Sequence, residues 1–457
     1  MAEPRVIPRA EHSISRRDID SDALKVLYRL RQSDYIAYLV GGSVRDLLLG
    51  RRPKDFDLGT SAHPHQVKKL FRNCWIIGRR FRLCHVRFGP KKVIEVATFR
   101  RQVQPGEEAV PDGAPAAAGP GTDDAQIIHR DNTFGTPEED AFRRDFTINA
   151  LFYDIATFSI IDYVNGLEDL RAGIVRSIGD PQVRFKEDPV RMLRAIALAA
   201  RLDFTIDPPV RDAIRLLRRE IANSAPPRLL EEYYKILRGG HAEKTFRALD
   251  EAGLLEVISP ELHDGAGDRL WQSLAAVDAY RGRFESAPDT FTNTVLLGSL
   301  LVPLGFTSQP MRHAAPLPQA PAPSTPSTGR GDGRPPRAPG PRLGDLPLAR
   351  RDVERLHQIL GLQRRLHDAL EHPRTRLAVA RRGIFADALT WMDVHGREPA
   401  LVEQWKAALV EIANEPAAAG PAGPVGVNGN VAEGQPAFKR KRRRRRRRPR
   451  PAPSGNS

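Results

Sequence analysis

The chain has 457 residues and a formal net charge of +15 at neutral pH, and its length favours two to four domains rather than one. No run of apolar residues approaches the ~20 that a transmembrane helix needs, and the first residues lack the apolar core of a signal peptide. The two cysteines, Cys74 and Cys84, are too few for a disulfide framework or a four-ligand zinc site. We therefore expect a cytoplasmic protein without membrane insertion, in which both thiols are small buried hydrophobic groups.

The positive charge is concentrated near the C-terminus. Residues 439–450 read KRKRRRRRRRPR and open with Lys439, Arg440, Lys441 and Arg442. Such a run can bury nothing, so we predict a disordered tail over 414–457. Its density of arginine favours binding to a polyanion such as RNA through counterion release, and a tail that only aids solubility is the alternative.

Hydrophobic periodicity predicts a small mixed sheet flanked by helices over residues 21–165, after a flexible N-terminus over 1–20. A helix over 21–33 precedes a buried strand over 35–40. The Gly41-Gly42 turn then opens a second helix that ends at Gly50. The remaining elements are a short strand over 54–60, a helix over 63–73 and three strands rich in β-branched residues that end near residue 99.

Two segments of low complexity interrupt this pattern. A Pro/Gly/Ala-rich stretch over 102–130 is predicted to be a loop, and a Pro-rich stretch over 308–343 an insert or linker. A helix begins at Thr136-Pro137, where Glu139 completes a capping box. Helical periodicity prevails from there on, which predicts an all-helical neck over 166–262 and a helical body over 263–413.

The stretch KDFDLGT places Asp55 and Asp57 two positions apart, on one face if the segment is a strand. Two carboxylates so close are costly unless a cation lies between them, and Mg²⁺ or Mn²⁺ takes such oxygen ligands. Gly41 and Gly42 supply backbone N–H groups at a helix start, which favours phosphate binding. Together these features indicate phosphoryl or nucleotidyl transfer, although an isolated acid pair can simply be solvated.

Five segments in order, LVGGSVRDLLLG, KDFDLGT, IEVATFR, RRDFTINAL and EDPVRMLRA, resemble the class II branch of the nucleotidyltransferase superfamily. That branch contains the CCA-adding enzymes and the bacterial poly(A) polymerases, and the resemblance runs from about residue 38 to residue 262. It implies an α+β architecture, with an N-terminal mixed-sheet nucleotidyltransferase domain before an all-α neck and body. It also implies that Asp55 and Asp57 bind the catalytic metal ions and that Glu95 is the third carboxylate. The ions would activate the RNA 3′-hydroxyl and hold the phosphates of the nucleotide.

The resemblance assigns further residues to the nucleotide site. Asp145 is implied to be functionally required, and the implied nucleotide contacts are Gly41, Gly42, Arg45, Arg143, Arg144, Asn149, Arg194 and Arg228. Asp188 and Arg191 are implied to read the base edge. An Asp acceptor beside an Arg donor fits adenine and cytosine and opposes uracil and guanine, but it does not separate adenine from cytosine. Ion pairing on helix surfaces, and an N-cap role for Asp188, are the structural alternatives.

Residues 63–89, between the acid pair and Glu95, resemble the bacterial poly(A) polymerases more than the CCA-adding enzymes. Arg79 and Arg80 are predicted to bind triphosphate or RNA phosphates, whereas His85 is predicted to be structural, with a chemical role left open. We therefore expect an ATP-using enzyme that polyadenylates RNA 3′ ends and promotes RNA decay. The chain would act as a monomer, and decay proteins would dock on its helical body. The alternatives are a CCA-adding tRNA nucleotidyltransferase and an inactive RNA-binding protein of the same fold.

Overall fold

A computed structural model describes residues 3–78, 82–89, 92–101, 133–307 and 341–414. The chain divides into a large unit, residues 1–407, and a small C-terminal unit, residues 408–457. Arg79 and Arg80, the loop predicted over 102–130, and the basic tail with Lys439, Arg440, Lys441 and Arg442 lie outside the described residues, as does most of the predicted Pro-rich insert.

The large unit contains an eight-stranded mixed sheet in the order β1-β8-β7-β2-β3-β6-β5-β4. Its strands β3 and β6 are parallel, and all other neighbours are antiparallel. The strands are β1 (Arg5–Ile7), β2 (Ala37–Val40), β3 (Leu58–Thr60), β4 (Cys74–Ile77), β5 (Leu83–Phe88), β6 (Lys92–Thr98), β7 (Leu151–Asp154) and β8 (Ser159–Asp162).

Five helices accompany the sheet in the chain: α1 (Ser21–Gln32), α2 (Gly42–Leu48), α3 (Pro64–Leu70), α4 (Pro137–Phe142) and α5 (Gly166–Ala172). The capping box predicted for α4 is confirmed, because the Thr136 hydroxyl accepts from the Glu139 N–H and the Glu139 carboxylate accepts from the Thr136 N–H. A two-strand ribbon, β9 (Ile174–Val175) with β10 (Thr205–Ile206), follows the sheet.

The remaining elements of the described chain are helices. The prediction of an all-helical neck over 166–262 is wrong at Ile174–Val175 and Thr205–Ile206, because these two short segments pair as strands. The helices are α6 (Pro181–Glu187), α7 (Val190–Leu202), α8 (Pro208–Leu217), α9 (Pro226–Leu237), α10 (Ala242–Glu251), α11 (Leu254–Ile258), α12 (Pro260–Asp264), α13 (Asp268–Arg281), α14 (Asn293–Leu301), α15 (Arg350–Ala369), α16 (Pro373–Ala380), α17 (Phe385–His395) and α18 (Pro399–Asn414). The predicted α+β class is therefore confirmed. Among the described residues, no helix is both long and apolar enough to cross a membrane.

The prediction of a flexible N-terminus over residues 1–20 is wrong for the described part of that segment. Strand β1 pairs with β8 at the edge of the sheet, and Ile7, Ile14 and Ile19 are buried. The buried apolar side chains hold the segment against the domain, because the burial of each one stabilises the folded state by about 1.5–3 kcal/mol.

Aromatic side chains build the core beneath the sheet near the predicted site. Phe99 and Phe152 pack with their ring centroids 6.2 Å apart, and Tyr38 contacts both. A Cβ atom at Gly59 would lie 2.5 Å from the Phe99 ring, so only glycine fits two residues after Asp57. This close packing fixes the start of β3, and with it the position of Asp57 at the edge of the core.

Candidate active site

A cleft with a volume of about 1360 Å³ opens beside the sheet, between the ends of α2 and α4 and the helices α7 and α9. It is lined by most of the residues that the sequence analysis assigned to a nucleotide site, namely Gly41, Gly42, Arg45, Asp57, Arg143, Arg144, Asp145, Asn149, Asp188, Arg191, Arg194 and Arg228. The described chain thus brings together residues that are up to 187 positions apart in the sequence. Asp55 and Glu95 are not part of this lining.

The prediction that Asp55 and Asp57 lie on a strand is wrong. Strand β3 begins only at Leu58, and Asp55 and Asp57 lie in the segment before it. The backbone carbonyl of Asp57 still accepts from the Val40 N–H at 3.0 Å, which places Asp57 beside the Gly41 turn. Asp55 is exposed and lies 3.7 Å from Lys54. Tertiary pairing with β2, rather than strand alternation, therefore sets the direction of Asp57.

The charges of Glu95 and Asp55 act on the carboxylate of Asp57. The side chain of Asp57 remains open to the cleft on one side, but withdrawal from water by the protein around it raises its pKa to about 6, and the charges of Glu95 and Asp55 add to this rise. Arg144 opposes the rise but does not cancel it. The local excess of negative charge around Asp57 favours the binding of a cation at this point of the cleft.

The donor set fits a hard divalent cation with few protein ligands. In the described ranges, no group of three or more His, Cys, Asp or Glu side chains is already arranged to hold a metal ion. A full protein cage is not required for Mg²⁺, which usually keeps several waters and binds one or two carboxylates together with substrate phosphates. Asp57 at the cleft wall, with Asp55 and Glu95 near it, provides carboxylates of this kind.

The Gly-Gly turn is shaped by its surroundings. Gly41 has φ +70°, and a Cβ atom there would lie 2.8 Å from Nη1 of Arg144, so the position favours glycine. Its N–H donates to the Leu151 carbonyl, so it is not one of the free donors that the sequence predicted. Arg45, from α2, is buried and bonds Asp46 and the side-chain oxygen of Asn149. Arg45 therefore joins α2 to the segment after α4.

Asp140 organises two arginines of the cleft and was not singled out from the sequence. Its buried carboxylate binds Arg143 at 2.8 Å and Arg144 at 2.9 Å, and it accepts from the Arg100 N–H at 3.2 Å. Burial would raise its pKa, but the two guanidinium groups hold the pKa below its usual value. The spacing of three and four residues from Asp140 to these arginines on the sequence was a usable signal.

The prediction that Asp145 and Asn149 share one helix is wrong, because α4 ends at Phe142 and a short 3₁₀ turn, Thr147–Asn149, follows. They still meet, since the Asn149 amide donates to Asp145 at 3.3 Å. Asp145 is also 2.7 Å from Nη2 of Arg194, in an ion pair that links α7 to the sheet domain. Burial alone would raise the pKa of Asp145, but Arg194, Asn149 and a backbone N–H keep the carboxyl below its usual pKa.

Asp188 lies between α6 and α7, one residue before the N-cap Pro189, and lines the cleft. Its carboxylate accepts from the Val190 N–H at 3.3 Å and from Arg228 of α9 at 2.8 Å. Arg191 does not pair with Asp188 but donates to Glu187 and to the Arg184 carbonyl, at 3.0 Å each. The N-cap role given as the structural alternative for Asp188 is therefore wrong, since Pro189 occupies that position, whereas Asp188 does lie in the cleft lining.

Several basic residues of the cleft were missed by sequence reasoning. Arg184 donates to the carbonyls of Arg143 and Arg144, and Arg100, Arg101 and Arg201 add positive charge. In total the lining holds eleven Lys and Arg side chains against six Asp and Glu side chains. The cleft is therefore suited to a polyphosphate or a nucleic-acid end.

His85 and the two thiols lie on β4 and β5, beside the carboxylates. His85 is 3.3 Å from Glu95, its direct partner across the strands. Cys74 and Cys84 are free and buried, as predicted, and burial raises the pKa of Cys84 to about 12. Thiolate chemistry at neutral pH is therefore not expected of them.

Comparison with known proteins identifies two segments of the chain. Residues 37–176 match the family model of the poly A polymerase head domain. Residues 203–265 match a family described as the probable RNA and SrmB-binding site of polymerase A. The first range contains the sheet strands β2 to β8 and strand β9 of the ribbon, and the second contains α8 to α12.

Individual relatives agree with these matches. Poly(A) polymerase I of Salmonella typhi is 50% identical over 257 residues, which are 56% of this chain and 54% of that protein. A CCA-adding enzyme of Lactobacillus helveticus is 35% identical over 241 residues, which are 53% of this chain and 56% of that protein. The crystal structure of the Bacillus stearothermophilus CCA-adding enzyme in complex with CTP is 24% identical, with a TM-score of 0.49, and the match covers 85% of this chain and 82% of that one. The chain thus spans about half the length of the curated relatives it matches.

Proposed function

We propose that the chain is a polynucleotide adenylyltransferase, because residues 37–176 match the family model of the poly A polymerase head domain and residues 203–265 match that of the probable RNA and SrmB-binding site of polymerase A. It transfers AMP from ATP to RNA 3′ ends without a template and releases pyrophosphate. The observation that carries this proposal is the position of Asp57, a carboxylate in a wall that is otherwise dominated by arginine. A negative group in a basic cleft suits a metal-bound triphosphate, because the arginines attract the phosphates and the carboxylate holds the cation.

Asp57 and Asp55, with Glu95, are the proposed ligands of Mg²⁺ or Mn²⁺. When bound, such an ion lowers the pKa of the attacking RNA hydroxyl and neutralises charge on the phosphates. Arg144 adds a fixed positive charge next to the same phosphates, since it lies against the Gly41 turn and its charge acts on Asp57. The transfer needs no covalent enzyme intermediate.

Arg143 and Arg144 are the proposed clamp for the triphosphate. Asp140 takes one edge of each guanidinium, so both groups are held at the cleft wall before the substrate arrives. Pre-positioned charges of this kind lower the cost of reorganisation during transfer. Asp145, held between Asn149 and Arg194, is proposed to position the ribose side of the nucleotide.

Asp188 and Arg191 are the proposed readers of the base. Arg228 and the Val190 N–H already occupy part of the Asp188 carboxylate, which orients it and leaves acceptor capacity for an amino group. Arg191 keeps its other guanidinium N–H groups for the ring nitrogen, since its described bonds all come from Nη1. This pair accepts adenine or cytosine, so the choice of ATP over CTP needs further contacts.

The remaining assignments complete the proposal. The basic tail and Arg79 with Arg80 bind RNA phosphates without reading sequence. The enzyme acts in the cytoplasm as a monomer, and its helical body offers a surface to RNA-decay proteins.

The direct test is extension of a short RNA primer in Mg²⁺ with one nucleoside triphosphate at a time. A long extension with ATP alone supports polyadenylation. Extension that stops after C-C-A on a truncated tRNA would support the CCA-adding alternative. This alternative is tested because a CCA-adding enzyme is 35% identical to the chain over 241 residues. No incorporation of any nucleotide, in a sample that binds RNA, would leave only an inactive RNA-binding protein.

A further inference from the structure

One face of the sheet edge is unusually apolar for a surface that water reaches. Trp75 and Ile77 on β4 and Val93 on β6 are 52%, 49% and 41% exposed. We call this surface, with His85 on β5 and Glu95 on β6, the β4–β6 face. The opposite side of the same strands carries the buried Cys74, Cys84, Val86, Ile94 and Val96. Apolar side chains on one open face indicate a binding surface more often than chance exposure does.

The β4–β6 face leads directly to the carboxylates. Trp75 pairs with His85, and His85 pairs with Glu95, so the three side chains form one row across neighbouring strands. Adjacent strands are about 4.8 Å apart, which puts Trp75 about 10 Å from Glu95 along the sheet. The charge of Glu95 in turn acts on Asp57. A chain whose end reaches Asp57 can therefore extend past Glu95 and over Trp75.

The segment that carries this face is basic in sequence, which favours an anionic partner. Residues 61–101 contain eleven Lys and Arg residues and a single acid, Glu95. On the described strands, Arg87 belongs to the same row as Val93. A surface of aromatic and apolar groups in a basic setting is the combination that binds single-stranded nucleic acid, because bases stack on rings while phosphates are attracted to the cations.

We propose that the β4–β6 face is a stacking platform for the unpaired bases next to the 3′ end of the RNA, with Trp75 as the stacking residue. The proposal deepens the proposed function, since it names the form in which RNA enters: a single strand laid across the sheet edge. Stacking on an indole tolerates any base, which suits an enzyme that extends assorted RNA ends. RNA whose 3′ end is fully base-paired cannot use the platform, since its bases are already stacked on one another.

Trp75 is its own spectroscopic probe. The chain has four tryptophans, and Trp271, Trp391 and Trp405 are buried, whereas Trp75 is open. Titration of the full chain with a single-stranded oligoadenylate, without ATP or metal, is expected to quench the exposed tryptophan emission. The Trp75→Phe variant is expected to lose that quenching but to bind the RNA as tightly as the wild type, since phenylalanine still stacks.

The Trp75→Ala variant measures the contribution to affinity. We expect it to bind single-stranded RNA about tenfold more weakly, within the range known for base–aromatic stacking. Its affinity for an RNA hairpin with a paired 3′ end should equal that of the wild type. Val6→Ala, which truncates a side chain 57% exposed on β1 at the opposite edge of the sheet, is the matched control and should change neither affinity.

Three results would overturn the platform. They are unquenched emission at saturating RNA, an equal loss of affinity for single-stranded RNA and hairpin in Trp75→Ala, and a change in oligomeric state that shows the face to be a contact between protein copies. The assay needs no catalysis, so failure of the polymerase proposal would appear separately as absent nucleotide incorporation. Where incorporation occurs, Trp75→Ala should raise KM for the primer about as much as it weakens binding and leave KM for ATP unchanged.

Discussion

Replacement of Asp140 by Asn tests the claim that one buried carboxylate holds the triphosphate clamp. Asp140 is 3% exposed and touches two guanidinium groups, Arg143 and Arg144, whose side chains are 32% and 21% exposed. Breaking a buried ion pair costs about 3–5 kcal/mol when the remaining charge is also buried. Because water reaches both arginines, and because asparagine keeps an oxygen for the Arg100 N–H, we expect a loss of about 3 kcal/mol in the free energy of unfolding.

Urea unfolding of the full chain measures this loss, and Asp212→Asn is the control. Asp212 pairs with Arg215 at 3.7 Å, with both side chains at least 70% exposed, so its replacement should change stability by less than about 0.5 kcal/mol. Asp140 has a lowered pKa, so its contribution is present above the unfolded pKa near 4 and is lost as the pH falls through the folded value. The difference between wild type and Asp140→Asn should therefore shrink below about pH 4.

Nucleotide binding separates the clamp from general stability. With Arg143 and Arg144 released, Asp140→Asn should bind ATP more weakly even at a temperature where it is fully folded. Wild-type ATP affinity in a folded Asp140→Asn sample, or a stability loss no greater than that of Asp212→Asn, would refute the reasoning.

Three further predictions concern other parts of the chain. Gly41→Ala should destabilise the fold by about 1–3 kcal/mol and weaken ATP binding, because the φ of Gly41 is +70° and a Cβ atom there would press on Arg144. Gly50→Ala is the control, because Gly50 has a similar φ of +66° but open space around it, and it should leave ATP binding unchanged. Equal ATP affinity in both variants would contradict this prediction. Burial lowers the pKa of His395 to about 4, so the unfolded chain takes up a proton on this residue first, and the stability should fall as the pH drops from about 6.5 toward 4. In His395→Gln the unfolding temperature should depend less on pH over that range, and an unaltered pH dependence would argue against this role of His395. Deletion of residues 439–457 should weaken RNA binding and reduce the slope of affinity against salt, and an unchanged slope would mean that the tail makes no phosphate contacts.

Local signals made the elements predictable. The helix start at Thr136 was readable because the capping box lies within four residues, and the turn at Gly41 because two glycines interrupt an apolar run. Strand β1 was not predictable, since its three residues depend on pairing with β8, which lies more than 150 residues further along the chain. A strand that short has no periodicity of its own, so tertiary pairing decides it.

The candidate site divides in the same way. Motif resemblance identified Asp57, Asp145 and Asp188, and the structure places them around one cleft. The partners of these carboxylates could not be read from the sequence. Arg194 for Asp145 and Arg228 for Asp188 come from helices 40 or more positions away, and only the packing of α7 and α9 brings them near.

The proposed role of the Asp57 carboxylate is metal-dependent transfer of AMP. The most direct measurement is incorporation of labelled AMP into primer RNA by wild type and by Asp57→Asn, with RNA affinity determined on the same samples. We expect Asp57→Asn to lose incorporation by several orders of magnitude and still to bind RNA, since its arginines, its tail and its β4–β6 face are unchanged. Near wild-type incorporation by folded Asp57→Asn would mean that this carboxylate is not needed for AMP transfer.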